Sequence, residues 1–184
     1  MKKISFLVAL LVIVFSAYAQ NPPAPEFKNK VLFVDKNNTL ADLEKTDLSS
    51  NLHTNMGGHS EVNLIANGTG SSVSHSGSTA ESFIVKIEPG TDPETAVELF
   101  VFDVAKKNRK ILVAQMSMGK DQGVELTKAK LAFKKVSDGV YTVTPAAQLE
   151  GGEYCFLVNR PNISIMGASS TQSLIGYCFS VAGK

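Results

Sequence analysis

Apolar and polar residues alternate with a period of two along most of the chain beyond residue 30. This period puts successive side chains on opposite faces of an extended backbone, so it predicts β-strands rather than helices. The run 97–104 is apolar on both faces for most of its length, which predicts a central strand that is covered on both sides. The other predicted strands lie at 31–34, 61–66, 82–87, 110–116, 131–136, 140–144, 152–158 and 176–181.

Turn residues separate these strands. Asn67-Gly68 follows one strand, and 137–139 (SDG) joins two others as a tight hairpin in which glycine supplies the positive φ. Only 40–48 has helical character, and a strand edge fits this segment almost as well. About eight to ten short strands with turns between them predict an all-β fold, namely a single antiparallel β-sandwich over 31–184 with at most one short helix.

Two polar segments interrupt the strand pattern. The Gly/Ser/Thr-rich segment 67–80 predicts either a mobile loop or an edge hairpin. The basic cluster of Lys106, Lys107, Arg109 and Lys110 lies between two apolar strands, so we interpret it as a polar turn.

The N-terminus has the pattern of a cleavable export signal. Two lysines precede an uncharged apolar run of roughly 12 residues, which is too short to cross a bilayer about 30 Å thick as a helix. The small residues Ala17 and Ala19 fit the pocket of a signal peptidase. We therefore predict a signal peptide over 1–19, an extended Pro-rich leader over 20–30, a mature chain without an integral membrane span, and a periplasmic, extracellular or cell-surface location.

The charge balance narrows the classes of partner. The full chain has 18 basic and 17 acidic residues, and two of the basic ones lie in the predicted signal. The mature chain therefore carries a net charge of about −1 and lacks the positive charge needed to bind the phosphates of a nucleic acid. About 165 mature residues suit a single domain with a sizeable core.

The segment 149–154 (LEGGEY) resembles the L-x-P-G-x-Y corner of immunoglobulin-like and fibronectin-type sandwiches. In that corner the tyrosine hydroxyl bonds to nearby backbone, so the resemblance implies structural roles for Leu149, Gly152 and Tyr154; Gly151 stands where proline is usual. The corner, the stretch 83–113 and the Ala-x-Ala-Gln cleavage site are similar to uncharacterised exported proteins of Bacteroidota-type bacteria. This resemblance implies a sandwich and brings no activity with it.

The two cysteines occupy matching positions in two similar segments, 152–156 (GEYCF) and 176–179 (GYCF). If these segments pair as antiparallel strands, Cys155 and Cys178 meet on one face and the aromatic residues share the other. An oxidising compartment would then allow a disulfide, which closes a loop of about 22 residues and stabilises the fold by about 3 kcal/mol. The alternative is two small buried hydrophobic side chains that remain unpaired.

No recognisable catalytic or metal-binding motif is present. His53, His59 and His75 lack the i, i+3 or i, i+4 spacing of helical metal ligands, and no G-x-S-x-G nucleophile elbow occurs. We therefore predict no catalytic residue, no metal site and no cofactor. A small hydrolytic or metal-dependent enzyme that uses these histidines, with Asp47 or Glu61, is the alternative.

The connection between the last two strands, 159–175, is the first candidate for a binding surface. At about 17 residues it exceeds an ordinary hairpin loop of about 2–5 residues. It combines Arg160 with the apolar residues Ile163, Ile165 and Met166. Immunoglobulin-like sandwiches often use a loop at this position for recognition. The alternative is that the segment forms an extra short strand or a flap that covers the sandwich edge.

These features together predict an exported, non-enzymatic β-sandwich with a binding or structural role in the cell envelope. Its partner would be an envelope protein or a glycan, with the connection 159–175 as the first surface to consider and the segment 67–80 as the second. A subunit of a surface appendage, which would assemble through an exposed strand, is a further alternative.

Overall fold

The computed structural model describes residues 22–117, 120–122, 126–161, 163 and 174–183. These residues form an all-β fold with a single four-residue helix, which confirms the predicted fold class. The described part of the chain contains no helix that is long and apolar enough to cross a membrane. In chain order the elements are β1 (Val31–Val34), β2 (Leu40–Asp42), β3 (Glu44–Thr54), β4 (His59–Asn67), β5 (Ser74–His75), β6 (Ser82–Lys86), α1 (Pro93–Ala96), β7 (Val97–Val101), β8 (Asp103–Val104), β9 (Asn108–Ser117), β10 (Lys120–Gln122), β11 (Lys128–Ala129), β12 (Leu131–Ser137), β13 (Val140–Pro145), β14 (Gly152–Val158) and β15 (Leu174–Val181).

The strands form two sheets. The five-stranded sheet has the order β12-β13-β6-β1-β2. The ten-stranded sheet has the order β10-β9-β4-β3-β15-β14-β7-β11, with β5 beside β15 and β8 beside β9. Among the described strands only β5 and β15 pair in parallel. The larger sheet curls into a half-barrel, and the smaller sheet covers its centre, so the fold is sandwich-like.

Two apolar cores lie on opposite faces of the central strands. The first core, between the sheets, includes Phe83 of β6, Phe156 of β14 and Phe179 of β15. The second core, inside the curl of the larger sheet, includes Phe100 of β7 and Leu157 of β14. Strands β7 and β14 are therefore buried on both faces. For β7, which is the first part of 97–104, this confirms the prediction from the two-sided apolar pattern.

The hairpin between β12 and β13 forms as predicted. Gly139 has a φ of +70°, a conformation that residues with a side chain rarely adopt. A Cβ atom at this position would also lie 2.6 Å from the carbonyl oxygen of Ile87. Glycine is therefore required here both by the turn and by the close approach of the neighbouring backbone.

The segment 40–48 forms strands and no helix. Residues Leu40–Asp42 pair with β1, and the first half of β3 pairs with β15. The helix occurs instead at Pro93–Ala96, where the Asp92 side chain accepts a hydrogen bond from the Glu94 amide at 3.0 Å and proline opens the first turn. The segment 40–48 is therefore extended because β1 and β15 supply strand partners for it, although its leucine spacing would also allow a short helix.

The serine-rich segment 67–80 contains the short strand β5, which pairs in parallel with the last strand of the chain. Ser74 lies opposite Ser180, and the Ser180 amide donates to the carbonyl oxygen of Val73 at 2.8 Å. This pairing fastens the segment to the ten-stranded sheet, and the segment is not the edge hairpin that was one of the two expectations.

Candidate functional site

Arg160, at the start of the connection 159–175, is held by the larger sheet. Its Nε atom donates to the Glu98 Oε2 atom at 2.9 Å, and its guanidinium lies 5.5 Å from the centre of the Phe100 ring. Lys128 binds the other oxygen of Glu98 at 3.0 Å. Burial by itself would raise the pKa of Glu98, but the hydrogen bonds from these two cations lower it. Arg160 therefore anchors the connection, and its charge is largely neutralised within the protein.

Ile163 is a second anchor of the same connection. Its side chain is partly buried and packs against the second core. Ile165 and Met166, the other apolar residues predicted to bind a partner, lie outside the described residues. The described start of the connection is thus tied to the sheet through an ion pair and an apolar contact.

A concave surface of about 380 Å³, here called the loop groove, lies where the connection leaves β14 and enters β15. The Asn159 side chain bonds the Asn29 side chain across this region at 2.8 Å, and both residues have positive φ, +51° and +62°. After glycine, asparagine is among the residues that adopt this left-handed conformation most readily, so both positions suit tight turns at the ends of their segments. The exposed Ile175, with 45% of its surface accessible, forms part of the rim. The lining residues are Lys28, Asn29, Leu157, Val158, Arg160, Leu174, Ile175 and Tyr177.

A larger concave surface of about 610 Å³, here called the serine groove, lies at the other end of β1. Asn29 precedes β1 at the loop groove, whereas Asp35 follows β1 at the serine groove, so one short strand separates the two surfaces. The residues that line the serine groove are mostly polar: Pro22, Phe33, Val34, Asp35, Lys36, Asn38, Ser76, Ser78, Ala80, Glu81, Ser82 and Thr142.

The segment 149–154 forms a corner between the sheets. The Tyr154 hydroxyl donates to the carbonyl oxygen of Glu150 at 2.8 Å, and burial raises the pKa of Tyr154, so the hydroxyl keeps its proton. Leu149 is buried, and its amide donates to the carbonyl oxygen of Gly77 at 2.9 Å. Gly151 lies so close to the backbone of Gly183 that a side chain would collide with it. This close approach explains glycine at a position where the resemblance expects proline.

Cys155 and Cys178 are register partners on β14 and β15, as their matching sequence positions predicted. Both are completely buried in the second core, while the aromatic residues of the same strands face the first core. The two sulfur atoms are thiols 3.1 Å apart, and burial raises the pKa of Cys155. A neutral, buried thiol is a poor nucleophile, so this pair suits packing or a disulfide better than catalysis.

The three histidines occupy two separate settings. His59 Nε2 lies 2.9 Å from Glu61 Oε1, which lowers the pKa of Glu61, and His53 is the register partner of Glu61 across the hairpin. His75 packs against Phe33, with ring centres 4.1 Å apart, and burial lowers its pKa. No group of three histidine, cysteine or carboxylate side chains that could hold a metal ion occurs within the described ranges.

Arg109 belongs to a buried ion cluster and not to the polar turn assigned to the basic residues around it. Its side chain is only 1% exposed and donates to Glu44 at 2.7 Å and to Glu153 at 3.1 Å. Its guanidinium also lies 5.3 Å from the centre of the Phe102 ring. We call Glu44, Arg109 and Glu153 the arginine cluster. Alternation with Ile111 and Val113 along β9 is the sequence signal that places Arg109 on the inner face.

The arginine cluster fastens the start of the serine-rich segment. Glu153 accepts a hydrogen bond from the Ser71 amide at 2.8 Å, and Glu44 accepts one from the Ser72 amide. Burial by itself would raise the pKa of Glu44, but the hydrogen bonds from Arg109, the Ser72 amide and the Thr46 hydroxyl lower it from 4.5 to about 2. The cluster joins β3, β9 and β14. Its guanidinium is held by two carboxylates, which also accept from backbone amides, while the buried Arg109 Nε atom has no hydrogen-bond partner among the described residues. These inward-directed contacts indicate a structural role.

Comparisons of the chain with protein-family models, with curated proteins and with solved structures gave no match. The class of the molecule is therefore defined by its own fold, an all-β sandwich-like domain with a curled larger sheet. Its candidate binding surfaces are the loop groove and the serine groove.

Proposed function

We propose that this protein is an exported, non-enzymatic β-sandwich of the immunoglobulin-like kind that binds a component of the cell envelope. Export is supported by the basic residues, short apolar run and small residues of 1–19. The sandwich-like fold and the hydrogen bond of Tyr154 to the Glu150 carbonyl support the immunoglobulin-like assignment. The partner is an envelope protein or a glycan, and the location is the periplasm or the cell surface.

The observation that carries the binding role is the position of the two concave surfaces. Each groove is bordered by connections between strands: Arg160, at the described start of 159–175, at the loop groove, and 35–39 with 76–81 at the serine groove. Connections held by a rigid sheet are the usual place for recognition residues. The strongly paired charges, Arg109 with its two glutamates and Arg160 with Glu98, serve the scaffold that holds these connections.

Export is tested by producing the full chain with its own N-terminus in a bacterial host and measuring the intact mass in each cell fraction. We expect a mature chain that begins at Gln20 outside the cytoplasm. An Ala19→Leu variant should keep the apolar run but block cleavage, because the peptidase accepts only small residues there. Accumulation of uncleaved wild-type chain in the cytoplasm would contradict export.

Binding is tested with labelled mature protein on intact cells and on isolated cell envelopes of the producing organism, because a periplasmic partner is accessible only in the isolated envelopes. We expect saturable binding, with an affinity loss of about tenfold or more for Ile175→Lys at the loop groove or Ser78→Lys at the serine groove. Val104→Lys is the matched control, because Val104 is 47% exposed and lines neither groove. Unsaturable binding, or equal losses in all three variants, would refute the proposed function.

A further inference from the structure

The serine groove continues around Ser76 into a second concave surface. This neighbouring surface has a volume of about 430 Å³ and is lined by Ser76, Gln148, Leu149, Glu150, Gly151, Val181 and Ala182. Ser76 therefore belongs to both surfaces. Pockets for one small ligand typically have about 300–1,000 Å³, so the serine groove alone has that size. The neighbouring surface gives an extended ligand with several linked units further room beyond Ser76.

Hydroxyl groups dominate the polar lining of the serine groove. Ser76, Ser78, Ser82 and Thr142 contribute them, and a hydroxyl can both donate and accept hydrogen bonds. The Ser76 hydroxyl donates to Glu81 at 3.0 Å and the Thr142 hydroxyl donates to the Lys134 carbonyl at 3.3 Å, so these two offer acceptor lone pairs to a ligand. The Ser78 hydroxyl accepts from the Ala80 amide at 3.1 Å and keeps its own donor. The hydroxyls of a sugar have the same dual capacity, so they can exchange donors and acceptors with such a lining. Phosphate and carboxylate ligands only accept, and they fit this lining less well.

Two carboxylates in the groove wall are held in fixed orientations. Asp35 accepts hydrogen bonds from the amides of Asn37 and Thr39 at 2.8 and 2.7 Å. Glu81 accepts from the amides of Ser76 and Gly77, both at 2.9 Å. Oriented carboxylates are strong acceptors for the hydroxyl donors of a sugar. Their negative charge, opposed in the lining only by Lys36, disfavours an anionic ligand.

Phe33 supplies an apolar surface in the same groove. Its ring is held from beneath by His75, at 4.1 Å between ring centres, and by Phe83 at 5.7 Å. The C–H-rich face of a sugar ring buries apolar area when it packs against an aromatic ring. The groove thus combines a rigid aromatic ring with oriented acceptors and hydroxyls.

An extended peptide is less suited to this groove. Peptides that bind along a sheet need a strand edge with unpaired backbone groups. Here β5 already pairs with β15, the Gly77 carbonyl accepts from the Leu149 amide, and the Ser76 carbonyl accepts from the Gln148 side chain at 3.2 Å. The backbone beside the groove is therefore already engaged.

We infer that the serine groove binds a neutral oligosaccharide of the cell envelope, with Asp35, Glu81 and the hydroxyls as polar contacts and Phe33 as the apolar contact. The inference rests on the proposed binding function and names its ligand class and its site. For this ligand we expect the serine groove to contribute more of the binding than the loop groove.

The test is an NMR titration of the isotope-labelled mature protein with three neutral probes, maltotetraose, cellotetraose and the tetramer of N-acetylglucosamine. We expect at least one probe to shift the amide signals of 33–39 and 76–82 saturably, with a Kd of about 1 mM or tighter. Ser78→Ala and Thr142→Val should each weaken that binding about fivefold or more. Ser49→Ala, at an exposed serine of β3, should leave it unchanged.

A second measurement separates this inference from the proposed function. The intact-cell binding assay is repeated after periodate oxidation of the cell-surface sugars. We expect binding to fall about tenfold or more, in parallel with the effect of Ser78→Lys. Full binding to oxidised cells would overturn the oligosaccharide while leaving a protein partner, and thus the proposed function, in place. Equal shifts with tetragalacturonate, an acidic probe, would overturn the neutral ligand class.

Discussion

Replacement of Arg109 by methionine is the sharpest test of how this fold is held together. Methionine fills much of the same space but removes the guanidinium that binds Glu44 and Glu153 and lies over the Phe102 ring. The two carboxylates then remain together in a largely buried site without a cation. Removing one partner of a buried ion pair typically costs about 3–5 kcal/mol, because the remaining charge stays buried and uncompensated.

The measurement is urea unfolding followed by circular dichroism at pH 7. We expect Arg109→Met to lower the free energy of unfolding by about 3–5 kcal/mol, a large part of the roughly 5–15 kcal/mol of a typical domain. Lys110→Met is the matched control, because the neighbouring Lys110 pairs with Asp103 at 3.1 Å but both side chains are exposed. An exposed pair contributes about 0–1 kcal/mol, so the control should change little.

The pH dependence of the same variant gives an independent check. Glu44 has a pKa of about 2 in the folded protein and an ordinary value of 4.5. A folded pKa below the unfolded one contributes stability that is complete above about pH 4.5 and is lost as the pH falls toward 2, about 3 kcal/mol in all. Arg109→Met removes the share of this contribution that comes from Arg109 and leaves the share of the Ser72 amide and the Thr46 hydroxyl, so the stability difference between wild type and variant should shrink over the same pH range.

Two results would refute this reasoning. One is an Arg109→Met protein within about 1 kcal/mol of wild type at pH 7, which would show that the arginine cluster contributes little. The other is a stability difference that stays constant between pH 5 and pH 3. A triple variant with Arg109→Met, Glu44→Gln and Glu153→Gln should recover part of the loss, because no unpaired charge remains buried.

Three further predictions concern the turn, the corner and the cysteines. Gly139→Ala should cost about 1 kcal/mol more in urea unfolding than Gly58→Ala, because both have positive φ but only Gly139 lacks room for a Cβ atom; equal losses would contradict the steric argument. Tyr154→Phe should cost about 1 kcal/mol through the lost hydrogen bond to the Glu150 carbonyl, and a cost near zero would show that the corner contributes nothing. Because the two sulfur atoms lie only 3.1 Å apart and the predicted export leads to an oxidising compartment, we expect the pair to oxidise there. Alkylation of denatured, unreduced protein from the periplasm should then find no thiol at Cys155 and Cys178, whereas two thiols by mass spectrometry would refute the disulfide.

The period-two pattern determined the local features of this protein. It placed the aromatic residues of β14 and β15 on one face and Cys155 and Cys178 on the other, and the structure has this register. It also identified a strand with two covered faces and the hairpin at Gly139. These features can be predicted from the sequence because the alternation of apolar and polar residues shows which side chains face the core. A glycine between two strands also indicates a turn with positive φ.

Tertiary structure decided what covers each face and which distant groups meet. The leucines of 40–48 fit a helix or a strand, and pairing with β1 and β15 selected the strands. Arg109 joined a buried cluster because Glu44, 65 positions earlier, and Glu153, 44 positions later, converge on it. Arg160 looked available for a partner until Glu98, 62 positions away, proved to hold it. The serine groove likewise combines residues from β1, the serine-rich segment and β13. A local hydrophobic pattern carries no information on such pairings, because they depend on which strands become neighbours in the folded sheets.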